Sequence, residues 1–292
     1  MALRGAYALR MLRSMLAVPL LLLTALAACS PADESDTSAA PAASCANDEL
    51  AVVTPGKLTI ATDDPAYEPW FVDNDPSNGK GFESAVAYAI AGQLGFAKKD
   101  VVWTKVPFNT SYQPGKKNFD FDINQISITT ERKNAVDFSL PYYTAAQAII
   151  VKEDSPLATA TSVTAFKDAQ LGAQIGTTSL KAATSISTKV PRVYDDTTKA
   201  GKALENGQVV GIVADLPTAF YLTAAKLEGT TIAGQFAYDS GEPEQFGLLL
   251  EKGSKLTPCV NKAITVLTKN DTLSQLETMW LSESADVTVL EQ

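Results

Sequence analysis

Ser127, Thr129, Thr130 and Arg132 stand close together near the end of the run FDFDINQISITTERKNAVDF, residues 119–138. Hydroxyls followed by a guanidinium suit the holding of a small carboxylate. Arg presents a planar fork of N–H donors, and a carboxylate accepts two of them in parallel. The competing reading is a solvated Glu-Arg pair after an edge strand. The residues before the hydroxyls alternate. Phe119, Phe121, Ile123 and Gln125 share one face of an extended segment, and Asp120, Asp122, Asn124 and Ile126 the other, which predicts a strand followed by a short helical turn at Glu131 and Arg132. The chain contains no histidine. That removes Ser-His and Cys-His nucleophiles and the commonest metal ligand, and no cofactor or metal is expected. Glu68, Asp63 and Glu131 are the acids an enzyme could use, and none has a partner visible in the sequence.

Other elements must bring partners to that run. Pro55-Gly56 is a turn before the strand Leu58-Thr59-Ile60-Ala61-Thr62. The loop after it, DDPAYEPW over 63–70, carries two prolines and two aromatics, a rigid wall at a strand end where ligands of open α/β sheets sit. Tyr67 and Trp70 have core packing as their alternative. Residues 81–94 predict an Ala-rich helix stopped by Gly95, and 101–106 a strand ending at Pro107-Phe108-Asn109. From residue 146 the pattern is strand 146–151, strand 170–175, helix 178–187, strand 192–194, helix 197–205, strand 208–214 and helix 216–226, a second α/β unit. A strand at 245–250 and helices over 255–269 and 272–281 close the fold.

The first 28 residues read as an export signal. Arg4, Arg10 and Arg13 precede an apolar stretch from Met15 to Ala28 that is short for a membrane span. Leu26-Ala27-Ala28-Cys29 resembles the lipobox of bacterial lipoproteins, which implies a lipidated Cys29 and a membrane anchor. Ser30 to about Asn47 is Ala, Ser, Pro, Asp and Thr, a flexible tether. The chain carries 24 Lys and Arg against 33 Asp and Glu, a net charge of −9, and loses three of its arginines with the signal. Such an acidic balance argues against nucleic acid as a partner. Cys45 and Cys259 remain, and an even pair in an exported protein reads as a disulfide, with two free thiols as the alternative.

From about Lys57 to Leu281 the chain resembles the polar amino-acid family of periplasmic binding proteins, the receptors of ABC importers (extracellular solute-binding proteins, family 3). Four pieces carry the resemblance in order: LTIATDDPAYEPW, GFESAVAYAIAGQLG, FDFDINQISITTERKNAVDFSLPYY and VVGIVADLPTAFYL. It implies an α/β, two-lobe, type II fold of mixed sheets flanked by helices and joined by two hinge strands. The first lobe would span 50–146 and 241–292, the second 147–240, after a signal peptide over 1–28 and a lipidated tether over 29–49. It implies a monomer on the outer face of the cell membrane that captures a free amino acid and delivers it to a permease. A sensor docking on a membrane receptor, or a dehydratase-like enzyme, are the alternatives on the same fold.

Residue by residue, the resemblance places Arg132 on the ligand α-carboxylate with Ser127 beside it, and the Gln125 carbonyl on the ligand amine. Thr177 and Thr178 match backbone N–H groups at a helix N-terminus, and Asp215 the carboxylate that takes the α-ammonium. Tyr67 and Phe108 match the aromatics that sandwich the ligand side chain. Asp64 matches the acid at the mouth of the first loop, or Asp63 if the loop is offset by one. Asp215, Thr177 and Thr178 have helix capping as a competing role; Asn109 and Gln174 are further contact candidates. Three features depart from the family pattern. Glu83 and Ala85 stand where Asp is usual, Gln125 replaces a small residue, and Pro114-Gly115 interrupts a helix after Phe108. The expected pocket offers carboxylates and amides with no evident cation. It therefore suits glutamine, arginine or lysine better than an acidic amino acid.

Overall fold

Leu58 to Thr62 are three aliphatic residues and two threonines, three of the five β-branched, and all five are buried, as a strand covered on both faces requires. The computed structural model describes residues 45–237, 244–281 and 287–291. The signal over 1–28, Cys29 and the tether up to residue 44 lie outside them. The chain runs β1 (Leu58–Thr62), α1 (Phe82–Gln93), β2 (Val101–Lys105), α2 (Phe108–Ser111), β3 (Phe121–Asp122), α3 (Thr130–Lys133) and β4 (Asp137–Ala145). It continues through β5 (Gln147–Lys152), β6 (Leu171–Gln174), α4 (Thr178–Ile186), β7 (Arg192–Tyr194), α5 (Thr197–Glu205), β8 (Gly211–Asp215), α6 (Leu216–Tyr221) and β9 (Thr230–Phe236). It returns as β10 (Glu244–Leu250), α7 (Thr257–Lys269) and α8 (Thr272–Leu281).

Two five-stranded sheets result, in the orders β2-β1-β3-β10-β4 and β7-β6-β8-β5-β9. In each, three strands run parallel and an antiparallel pair closes one side. Each sheet is the centre of a lobe. The first lobe is built on aromatics: Trp70, Phe82, Tyr143 and Phe246 pack ring against ring at centroid distances of 5.4–5.9 Å. The second has an aliphatic cluster on each face of its sheet. A disulfide joins Cys45 to Cys259 on α7.

Three elements differ from the sequence reading. The strand expected across 119–126 is hydrogen-bonded as a ladder only at Phe121–Asp122, and both alternating faces are buried from Phe119 to Asn124. The cause is its place between β1 and β10. Buried there, Asp120 accepts from Val53 N at 2.7 Å and Thr59 N at 2.6 Å, and Asp122 accepts from the Ser111 hydroxyl. β4 continues through Pro141; as an edge strand it tolerates the missing N–H. The polar edge strand β9 gave no apolar run to detect.

The closing residues also fall elsewhere. Residues 241–292 were expected with the first lobe, yet Val289 and Glu291 bridge to Gln235 and Ser162 of the second, and Leu290 is buried in its core. Gly234 makes the room, since a Cβ there would stand 2.6 Å from Leu290 Cγ. The chain therefore passes between lobes three times, at Ala145–Gln147, between Phe236 and Glu244, and between Leu281 and Val287, one more than the two expected.

Candidate ligand-binding site

The parallel strands deliver their carboxyl ends to the gap between the lobes. β1 ends there in the loop carrying Asp63 and Tyr67, and β8 ends in Asp215; all three line one cavity with Phe108, Gln125 and Thr178. Asp63 is half-buried and accepts from Asp64 N at 2.7 Å and Phe108 N at 3.2 Å, and burial raises its carboxyl above the ordinary range. Asp64 is exposed and turned away, paired with Lys105 at 2.7 Å. The one-residue offset thus favours Asp63. Lys105 is held by that pair, and Lys117 Nζ donates to Ser111 O at 2.7 Å. Among the described residues no Lys or Arg lines the cavity.

Gln125 sits at φ 48°, a left-handed conformation uncommon outside glycine. What holds it there is Glu83 on α1, fully buried, whose carboxylate accepts from Gln125 N at 2.7 Å, from the Gln125 amide and from the Tyr142 hydroxyl. Burial pushes Glu83 up to about 8. Two departures from the family pattern, the acid at 83 and the amide at 125, are therefore one contact.

Arg132 is buried at the end of α3, whose first turn is capped by Thr129. Its Nη1 donates to Ser127 O at 2.8 Å and its Nη2 to Gly176 O, in the other lobe, at 2.9 Å. The guanidinium carbon lies 5.4 Å from the Phe108 ring centroid and 4.8 Å from that of Tyr112, within cation–π range. Among the described residues Arg132 has no ion pair, and burial depresses its pKa. It stands beside the cavity lining without being part of it.

On the second lobe the turn at Gly176, φ +74°, opens α4. Thr177 caps the helix, accepting from Leu180 N at 3.0 Å, and also lines the cavity. Asp215 likewise does both: it caps α6, accepting from Thr218 N at 2.9 Å, and faces the cavity, where burial pushes it up to about 6. Gln174 lines the cavity, whereas Asn109 is exposed outside it. Trp70 is fully buried in the aromatic core, but its Nε1 crosses to donate to Thr218 Oγ1 at 2.8 Å.

Sequence reasoning missed Glu244, Gln147 and Thr218. Glu244 accepts from Ser127 and Thr178 hydroxyls and from the Gln147 amide at 2.8 Å. It begins a strand with no motif around it, so only the fold discloses its place.

The model of the bacterial extracellular solute-binding proteins, family 3, matches residues 58–283. The chain is 27% identical over 226 residues to the L-cystine-binding protein TcyJ of Escherichia coli K12, covering 76% of this chain and 81% of that one. It is 27% identical over 240 residues to the arginine-binding periplasmic protein of Mannheimia haemolytica, covering 79% and 94%. An ancestral arginine-binding protein bound to arginine superposes with a TM-score of 0.64 at 32% identity, covering 77% and 98%. The two lobes are thus those of the type II periplasmic-binding-protein fold.

Proposed function

Since the chain belongs to the bacterial extracellular solute-binding proteins of family 3, we propose that it captures a free amino acid between its lobes and delivers it unchanged to the permease of an ABC importer. The observation that carries this is the charge layout of the cleft. Asp63 and Asp215 face one cavity, and Arg132 lies buried beside it with no carboxylate at ion-pair distance among the described residues. An α-amino acid answers that layout, its ammonium at Asp215 and its carboxylate at Arg132. Full contact to both lobes at once favours the closed state. Asp63, with Tyr67 and Phe108 near it, then meets the side chain.

Two carboxylates and no lining cation favour a basic side chain, arginine or lysine, with glutamine next. A ligand carboxylate at Asp63 would be desolvated against like charge. Of the relatives reported above, two are named for arginine and one for L-cystine. A thermal-shift screen of the twenty amino acids tests it, and a large shift with glutamate or aspartate alone would overturn the pocket assignment. In calorimetry, Arg132→Ala and Asp215→Ala are each expected to weaken binding by roughly 2–5 kcal/mol, as truncating one side of a desolvated charge pair does. Unaltered affinity for the carboxyl-amide and N-acetyl forms would remove the α-amino-acid reading.

The protein works as a monomer outside the cytoplasm, held at the membrane by a lipid on Cys29. Cys29→Ala is expected to release it to the medium or leave an unprocessed precursor; retained acylation and membrane association would refute the anchor.

A further inference from the structure

Glu244 opens β10 and pairs in register with Ala145, where the chain crosses to the second lobe. One carboxylate oxygen accepts from the Ser127 hydroxyl and from Thr178 Oγ1 at 2.5 Å; the other accepts from the Gln147 amide at 2.8 Å. Ser127 belongs to the first lobe, Thr178 and Gln147 to the second, and the two hydroxyl oxygens lie 3.2 Å apart. Its charge is felt by Arg132 on one side and by Asp215 on the other.

A carboxylate so placed copies one end of an amino acid. It takes hydroxyls from both sides of the cleft, next to a guanidinium that has no ion pair among the described residues. The Ser127 hydroxyl is the donor the resemblance sets beside the ligand carboxylate, so the two acids compete for it, while Glu244 also holds the Thr178 side chain in the first turn of α4. Hydrogen bonds to an ionised acceptor are roughly twice as strong as neutral ones, and an incoming carboxylate must replace them before it gains any.

We propose that Glu244 is an internal competitor for the ligand carboxylate, occupying Ser127 and Thr178 and latching the two lobes until a ligand displaces it. This rests on the amino-acid reading and names the residue that sets affinity at that site. The resting closed form lowers apparent affinity by the fraction of molecules it holds.

Calorimetry of the wild type, Glu244→Ala and the shape-preserving Glu244→Gln tests the competition, with L-arginine and L-argininamide as probes. Removing the competitor is expected to tighten L-arginine by about tenfold, and to tighten L-argininamide, which has no carboxylate and gains only from the released latch, by no more than about threefold. Equal weakening of both probes would make Glu244 a counter-ion of the ligand ammonium and overturn the proposal, as would no change in either. Should the wild type bind neither probe, the basic-amino-acid assignment fails by itself, and small-angle scattering of the ligand-free proteins decides the latch. A larger radius of gyration in both variants is expected; equal radii would overturn it.

Discussion

Asp215 shows how one side chain can cap a helix and line the cavity at once. It caps α6 through Thr218 N, and the same carboxylate faces the cavity. Burial, with the field of Glu244 adding to it, pushes it up to about 6, so the ligand-free protein holds a proton there at mildly acid pH. An ammonium needs the ionised form and draws the pKa back down. Binding is therefore expected to release about half a proton at pH 6 and almost none at pH 8, and to weaken as pH falls below 6. Calorimetry in buffers of different ionisation enthalpy reads this directly; a proton count that does not vary with pH would contradict it. Asp215 stood out in the sequence through the resemblance of VVGIVADLPTAFYL to the family's strand ending in Asp before a helix, with capping as its competing role. The sequence left Asp63 and Asp64 undecided because the choice depends on Lys105, which arrives from β2, 41 residues on.

Elements explain the acid that the sequence flagged without assigning. Gly81, at φ +92°, starts α1 hard against the Trp70 carbonyl, where a Cβ would stand 2.5 Å from the oxygen. That contact fixes where α1 begins and hence where Glu83 points: under Gln125 and Tyr142. The folded-state pKa of Glu83, about 8, lies above its ordinary value. Its stabilising contribution is then fully present below about pH 4.5 and lost as pH rises through 8. Asp122, pushed up to about 7 by burial, acts with the same sign. The ligand-free protein is expected to lose on the order of 2–3 kcal/mol of stability from this site between pH 5 and 8. Glu83→Gln should flatten that slope, and a parallel slope in the variant, by urea denaturation, would refute the assignment. The spacing of Phe82, Val86 and Ile90 made α1 readable. It could not show the partner, since Gln125 meets Glu83 only after two strands have paired beside it.

At the scale of the molecule, besides the contacts of Ser127 and Glu244 with Thr178 and Gln147, the lobes meet through Trp70 to Thr218, Thr198 to Tyr67, Arg132 to Gly176, and an ion pair of Lys181 with Glu131. Trp70 was readable as core or wall; it is core, with its polar edge reaching across. The third passage of the chain, ending in Leu290 against Gly234, had no legible signal, because two bridging residues, Val289 and Glu291, carry no periodicity. The Cys45–Cys259 bridge was legible from cysteine parity alone. It spans a sequence separation of 214, so the loop-entropy relation gives roughly 5 kcal/mol of stabilisation. Urea denaturation with and without reductant should show a loss of that order, and coincident midpoints would refute it. The bridge also decides where tension goes. Any pull arriving through the segment before Cys45 passes at once into α7 and the first lobe, bypassing the cleft. The second lobe holds neither cysteine, so a load on the bridge enters the molecule on the first lobe's side of the cleft.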